Sequence, residues 1–293
     1  MTLPQHDTRV TYPTGALQER SRVLHVGAAT DGRAAVITES TSFHPVDAAW
    51  PDQPADTGRI HVGDRVLDIH DAMVAATDGD ALHLGPDIPV RPGAEGWVFL
   101  VAHLVDGDAP IHEGDLVEIE ADAARRRALS IGHTACHLAS LALNRALAER
   151  WSKAAREDAL GSPDFDGIAI TSSRIEPDGS VDVYRLNKSL RRAGFDVSSV
   201  ATSELDALAA SVEATLAEWC ESDAAVGIDR DGDRLTDRRT WVCELPGGAA
   251  RIPCGGTHAT SLGALGRVRV SFELGDDAGT PLLTMATRAG SRA

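Results

Sequence analysis

Short runs of alternating or strand-favouring apolar residues dominate the first 122 positions: RVLHV from Arg22, AAVIT from Ala34, RIHVGDRVLDIHD from Arg59, MVAATDGDALHL from Met73, WVFLVAH from Trp97 and LVEIEAD from Leu116. A period of two sends successive side chains to opposite faces of a strand, so each run predicts a strand, or two where a turn interrupts it. Gly63-Asp64 and Asp78-Gly79 are such interruptions, because these residues accept the tight backbone of a hairpin. The pattern predicts a small β-barrel-like domain or sandwich over residues 22–122. The polar start, with Pro4 and Pro13, predicts a loose arm over residues 1–21.

From Asp122 the period lengthens to that of a helix, in a run reaching about Arg156 with Leu129, His133, His137, Ser140 and Asn144 along one stripe. The stripe is polar where a core-facing stripe is aliphatic, which favours a site. GIAITSSRI and VDVYRL then read as strands about the turn Glu176-Pro177-Asp178-Gly179. A second helix, from Glu204 to Cys220, carries Leu205, Leu208, Val212, Leu216 and Trp219 at helical spacing, with Ser203 as its N-cap. That stripe is core. TWVCEL, RVRVSFEL and LLTMAT return to strands, so residues 123–293 form an α+β domain and the chain as a whole is α+β.

The chain has 293 residues, 43% hydrophobic and 25% charged, which is enough to bury a core without disulfide staples. No apolar run approaches the ~20 residues that span a membrane, and the start lacks a basic segment leading into an apolar one. The expectation is a cytoplasmic protein with no membrane partner. Its cysteines suit a reducing compartment: Cys136 is offset from the two histidines by the helical step and reads as packing, and Cys220 and Cys243 read as core. With 44 acidic against 28 basic residues and a net charge of −16, broad binding along duplex DNA is excluded. Any nucleic-acid contact must be local, and the candidate patches are Arg125, Arg126 and Arg127, and Lys188, Arg191 and Arg192. Taken alone, each patch also fits a solvated helix start or turn. IDRDGDRLTDRR is no EF-hand, since Arg234 and Thr240 stand where that loop needs glycine and glutamate, and it reads as a solvated turn. Neither GxxxxGK[ST] nor GxSxG occurs, which removes two large enzyme classes.

The sharpest chemical signal is a pair of pairs. His133 and His137 stand four apart in the predicted helix, and Cys254 and His258 stand four apart in PCGGTH. A separation of four puts both histidines on one helix face, one turn apart. Gly255 and Gly256 give the second pair a backbone free to turn sharply. Three imidazoles and a thiolate make a zinc ligand set. Two uses remain open: a structural zinc closed by four protein ligands, or a catalytic one that keeps a position for water or substrate.

HTACHL followed downstream by PCGGTH resembles the HxxxH and CxxxH motifs of the AlaX family, the freestanding alanyl-tRNA editing proteins, and of the alanyl-tRNA synthetase editing domain. TSFHPVDAAWPDQPADTG, from Thr41 to Gly58, is similar to that family's TxFYPxGGGQPxDxG stretch, and the motifs occur in the family's order. The resemblance covers nearly the whole chain from about Arg22. It implies that residues 123–293 are a zinc-binding editing domain, with zinc on His133, His137, Cys254 and His258, and that the partner is the acceptor end of an aminoacylated tRNA. The implied activity is that of a trans-acting deacylase, removing serine or glycine from alanine tRNA. Thr41 matches the family threonine whose hydroxyl can bond a hydroxylated amino acid, and Gln53 and His44 would shape the same pocket. Two departures stand out: His44 replaces the usual tyrosine, and Pro51 and Asp52 replace two glycines before Gln53. A stiffer, charged loop admits another substrate, a threonine-like amino acid such as fluorothreonine on threonine tRNA. Two other functions fit the same residues: a zinc hydrolase of a small acyl or amide compound, and a noncatalytic tRNA-binding protein with structural zinc.

Overall fold

The computed structural model describes residues 3–47 and 49–290. By contacts the chain divides into two compact units. One comprises Met1–Arg126, Ile228–Arg239 and Gly255–Thr257, and the other Arg127–Gly227, Thr240–Cys254 and His258–Ala293. The structure is a mixed α+β fold, mostly sheet with few helices.

The first unit holds strands β1 (Arg9–Val10), β2 (Gln18–Ala28), β3 (Arg33–Thr38), β4 (Ser40–Thr41), β5 (Gly58–Val62), β6 (Arg65–Ile69), β7 (Asp71–Thr77), β8 (Leu82–Leu84), β9 (Val98–Asp106) and β10 (Leu116–Ala121). Eight of them form one antiparallel sheet in the order β6-β5-β10-β2-β3-β9-β7-β8. Every run that the alternation predicted contributes to it. At the β5–β6 hairpin Val62 pairs with Arg65, so Gly63-Asp64 is the whole loop, and Gly63 takes φ 57°. Both faces of the central strands are apolar. Val36, Val101 and Val105 pack with Val23, Phe43, Ile60 and Ile119, while the intervening Ala35, Ile37, Leu100, Ala102 and Leu104 form a second cluster. Burial on both faces is why VFLVA reads as a continuous apolar run.

The N-terminal stretch expected as a loose arm is built into this unit. β1 pairs in parallel with β4, β2 starts at Gln18, and Val10 and Tyr12 are buried. The stretch expected as a solvated turn, around Asp229 to Arg238, closes over it. The Val10 N–H donates to the Asp233 carbonyl (2.7 Å), the Leu235 N–H to the Thr8 carbonyl (2.9 Å), and Thr236 bonds Asp7.

The second unit begins within helix α1 (Ala123–Ala146), whose first residues count with the first unit. It continues through α2 (Phe165–Ala169), β11 (Ile170–Glu176), β12 (Gly179–Arg185), α3 (Lys188–Ala193) and α4 (Leu205–Glu221). After β13 (Val226–Arg230), most of which counts with the first unit, as does Arg239, come β14 (Arg239–Leu245), β15 (Gly248–Pro253), β16 (Arg267–Asp277) and β17 (Thr280–Gly290). An antiparallel sheet runs β11-β12-β17-β16, and α4 lies along β16. As its spacing predicts, α4 buries Leu205, Leu208, Val212, Leu216 and Trp219. Its N-cap is Glu204, since Ser203 is taken into the preceding 3-10 turn.

α1 ends at Ala146, well short of Arg156. Beyond it lies a 3-10 turn over Ala148–Arg150, and Trp151 then pairs with Phe195, their rings 5.2 Å apart. The lower half of the polar stripe is structural rather than part of a site. Asn144 Nδ2 donates to Asp158 (3.0 Å), Asn144 Oδ1 accepts from the Asp166 N–H (2.8 Å), and Ser140 Oγ donates to Asp166 (3.0 Å). These bonds fold the 158–166 loop onto the helix.

Higher up, α1 touches the β11–β12 turn backbone to backbone. The Asp178 N–H donates to the Ala128 carbonyl (2.9 Å), and a Cβ on Gly132 would lie 2.6 Å from the Gly179 carbonyl oxygen. Gly132→Ala must therefore push the helix off the turn, at an expected cost of about 1–3 kcal/mol. Urea denaturation measures it, and unchanged stability would show that the helix slides to make room.

Candidate metal centre and its surroundings

α1 delivers His133 and His137 one turn apart, with ring centroids separated by 4.9 Å. Cys254 follows the end of β15, and His258 lies one turn of loop further on. The donor atoms of His133, His137, Cys254 and His258 all lie within 4.8 Å of one another. Cys254 Sγ is 3.5 Å from His133 Nε2 and 3.2 Å from His258 Nε2. Tetrahedral zinc, with bonds of ~2.1 Å to nitrogen and ~2.3 Å to sulfur, sets its N and S ligands about 3.6 Å apart. The donor set therefore fits a metal ion of this kind.

His137 adds an independent sign. Part of its ring reaches the surface, but Nε2 is buried and has no hydrogen-bond partner. An orphaned buried nitrogen costs free energy unless something pairs with it. Burial pushes the His137 pKa down to about 4, so near neutral pH the imidazole is uncharged and can offer a lone pair. Trp241, fully buried on β14, lies against His137 and His258 at 5.3 and 6.2 Å between ring centroids. It gives the cluster an apolar wall.

The turn between Cys254 and His258 does not depend on left-handed glycine. Positive φ occurs nearby at Gly247, Gly248 and Gly266, but not at Gly255 or Gly256. Within the first unit, Gln53 grips Thr257 twice: its Oε1 accepts the Thr257 N–H (3.0 Å) and its Nε2 donates to Thr257 Oγ1 (2.9 Å). The Tyr12 hydroxyl donates to the Gly255 carbonyl (3.1 Å). Gln53, expected to line a pocket, is thus held by Thr257 within the first unit.

Thr41 is also fully buried, and its hydroxyl belongs to a directed chain of hydrogen bonds. His103 Nδ1 faces the Val36 carbonyl (3.0 Å), which can only accept, so Nδ1 carries the proton. Burial pushes the His103 pKa down to about 4, so Nε2 is an acceptor near neutral pH. The Thr41 hydroxyl accordingly donates to His103 Nε2 (2.8 Å) while accepting the Phe43 N–H (3.0 Å). It has no proton left for another partner. No local spacing marks His103, at the end of the WVFLVAH strand run, because its partner Thr41 is remote in sequence.

His44 is buried edge-on to Tyr12, 5.2 Å between centroids, and donates its backbone N–H to Asp56 (2.6 Å). Burial pushes its pKa down to about 4, with Asp56 opposing and Arg126 and Arg239 assisting, and Nδ1 is buried without a hydrogen-bond partner.

The basic patches differ in kind. Arg126 is buried and ion-paired with buried Asp56; its Nε lies 2.9 and 3.1 Å from the two carboxylate oxygens, and its other donors reach the Ser42 and Ala16 carbonyls at 2.7 and 3.2 Å. A guanidinium committed in this way is not available to a phosphate. Arg125 is half-buried and donates to the Ala55 carbonyl (3.3 Å), whereas Arg127 is exposed. Lys188, Arg191 and Arg192 are exposed on α3, which Asn187 caps at its start and Gly194 at its end.

No protein-family model matches this chain. It is similar to alanine–tRNA ligases. The protein from Ruegeria pomeroyi is 28% identical over 258 residues, which is 86% of this chain and 24% of that protein. The one from Frankia alni is 31% identical over 167 residues, 57% of this chain and 17% of that protein. The one from Halobacterium salinarum is 25% identical over 262 residues, 89% of this chain and 23% of that protein. The chain spans about a quarter or less of the length of these curated relatives. These matches relate it to one stretch of alanine–tRNA ligase.

Proposed function

We propose that this protein is a zinc-dependent aminoacyl-tRNA deacylase, hydrolysing the ester between a wrongly attached amino acid and the terminal ribose of a tRNA. The observation that carries the proposal is the convergence of the HxxxH and CxxxH donors within 4.8 Å, in a chain similar to alanine–tRNA ligases. His133, His137, Cys254 and His258 would hold the ion. A zinc bound there supplies Lewis acidity or, with all four ligands engaged, a fixed point for the tRNA end. Thr41 offers a lone pair and no proton, so it would favour an amino acid whose side chain donates a hydrogen bond, such as a hydroxyl. His44, neutral and missing a partner at Nδ1, would add a second polar contact. With a net charge of −16, contact with tRNA would concentrate at exposed basic groups such as Arg127, Lys188, Arg191 and Arg192.

Two substrate sets fit: serine or glycine on alanine tRNA, and a threonine-like amino acid such as fluorothreonine on threonine tRNA. His44 in place of tyrosine and Pro51-Asp52 in place of glycines support the second. The test is a deacylation panel of tRNAs carrying serine, glycine, alanine, threonine and fluorothreonine, run with zinc-loaded and chelator-treated protein. The expected result is zinc-dependent release of one hydroxylated amino acid. If no charged tRNA is hydrolysed, the proposal fails. Turnover of small acyl esters alone would then mark a small-molecule hydrolase, and tRNA binding without turnover a noncatalytic protein.

A further inference from the structure

We infer that Thr134 is a positioning residue that decides which nitrogen of His258 carries the proton and which presents its lone pair to a metal. The inference rests on reading the His133, His137, Cys254 and His258 cluster as a metal centre. Thr134 is fully buried and follows His133 directly on α1. A threonine hydroxyl has one proton to give and two lone pairs to offer. Here the proton goes back along the helix to the Ser130 carbonyl, at 2.9 Å. Towards its other neighbours Oγ1 can therefore only accept. Those neighbours are consecutive residues of the loop beyond Cys254: the Ala259 N–H at 3.0 Å and His258 Nδ1 at 3.3 Å.

The consequence for His258 is a fixed tautomer. Facing an oxygen without a proton to donate, Nδ1 is the nitrogen that carries hydrogen, and Nε2 keeps its lone pair. Nε2 is the atom that lies 3.2 Å from Cys254 Sγ, inside the cluster. The Ala259 bond to the same oxygen holds the backbone beside the ring, so ring plane and loop position are set together. One turn of α1 thus contributes His133 as a ligand and, at the next residue, the acceptor that turns His258 towards the same ion.

The test uses the full-length chain loaded with cobalt or zinc. Thr134→Val keeps the shape and the buried methyl but removes the acceptor. It should weaken metal affinity by about 10- to 100-fold, the usual effect of losing an outer-shell partner of a ligating histidine, and alter the thiolate-to-cobalt and d–d absorption bands. Thr134→Ser restores the hydroxyl and should restore both. If wild-type protein binds no metal, the metal-centre reading itself fails. If the wild type binds and Thr134→Val matches it in affinity and spectrum, only the Thr134 inference is overturned. Should Thr134→Val not fold, the two-bond proton–nitrogen spectrum of zinc-loaded wild type decides. A proton on His258 Nδ1 is expected, and a proton on Nε2, or metal on Nδ1, overturns the inference.

Discussion

Combining Cys254→Ala with His137→Ala is expected to abolish zinc binding and, with it, the proposed deacylase activity. The two residues come from different elements, the loop after β15 and helix α1, yet their donors lie within the same 4.8 Å cluster. Removing both leaves two ligands, and protein zinc sites rest on three or four. Each single variant should lose more than the about 10- to 100-fold that an outer-shell change costs, because a direct bond to the ion is gone. Elemental analysis after dialysis against a weak chelator measures the outcome, with deacylation of the preferred tRNA measured in parallel. A double variant that retains one zinc per chain would place the metal elsewhere, whatever happened to activity.

Asp56→Ala should be among the most destabilising single changes in the first unit, at about 3–5 kcal/mol. The carboxylate is 1% exposed and answers a guanidinium that is 6% exposed, so its removal strands a buried positive charge with little water to replace it. The same carboxylate accepts the His44 N–H, and that donor is orphaned too. An exposed pair would cost under about 1 kcal/mol and would weaken in salt. Denaturant unfolding at low and high ionic strength distinguishes the two cases. Asp56→Ala with Arg126→Met should recover much of the loss, because no charge is then left unpaired. A single-variant loss below about 1 kcal/mol would show that Arg126 escapes to solvent, and it would restore that residue as a candidate for phosphate contact.

What could be read from sequence was what local spacing controls. The strand runs and hairpin turns of the first unit, the apolar face of α4 and the placing of His133 and His137 on one face of α1 all follow from the geometry of a single element. Partners distant in sequence were not legible. Arg126 looks like the middle of a basic triplet until Asp56, seventy residues away, is found against it. Thr41 is an open hydroxyl on paper, and His103 accepts its hydrogen bond. Ser140 and Asn144 share the stripe of His133 and His137, the candidate metal ligands, but are spent on the 158–166 loop, and nothing in the helical period separates the two uses. The N-terminal stretch misled for a related reason. Val10 and Tyr12 are isolated apolar residues among polar ones, with too little periodicity to announce a strand or a core contact.

The closure of the first unit by residues 228–239 imposes an order on its folding. Asp7 and Thr236, which bond one another, lie 229 positions apart. At typical synthesis rates roughly 10–45 s separate their emergence from the ribosome. During that interval Val10 of β1 lacks the Asp233 carbonyl and Thr8 just before it lacks the Leu235 amide, and the edge they belong to stays open. Contacts of such long range also slow refolding from denaturant. A fragment cut at residue 126 is consequently not the first unit, since it lacks the 228–239 segment as well as Gly255–Thr257.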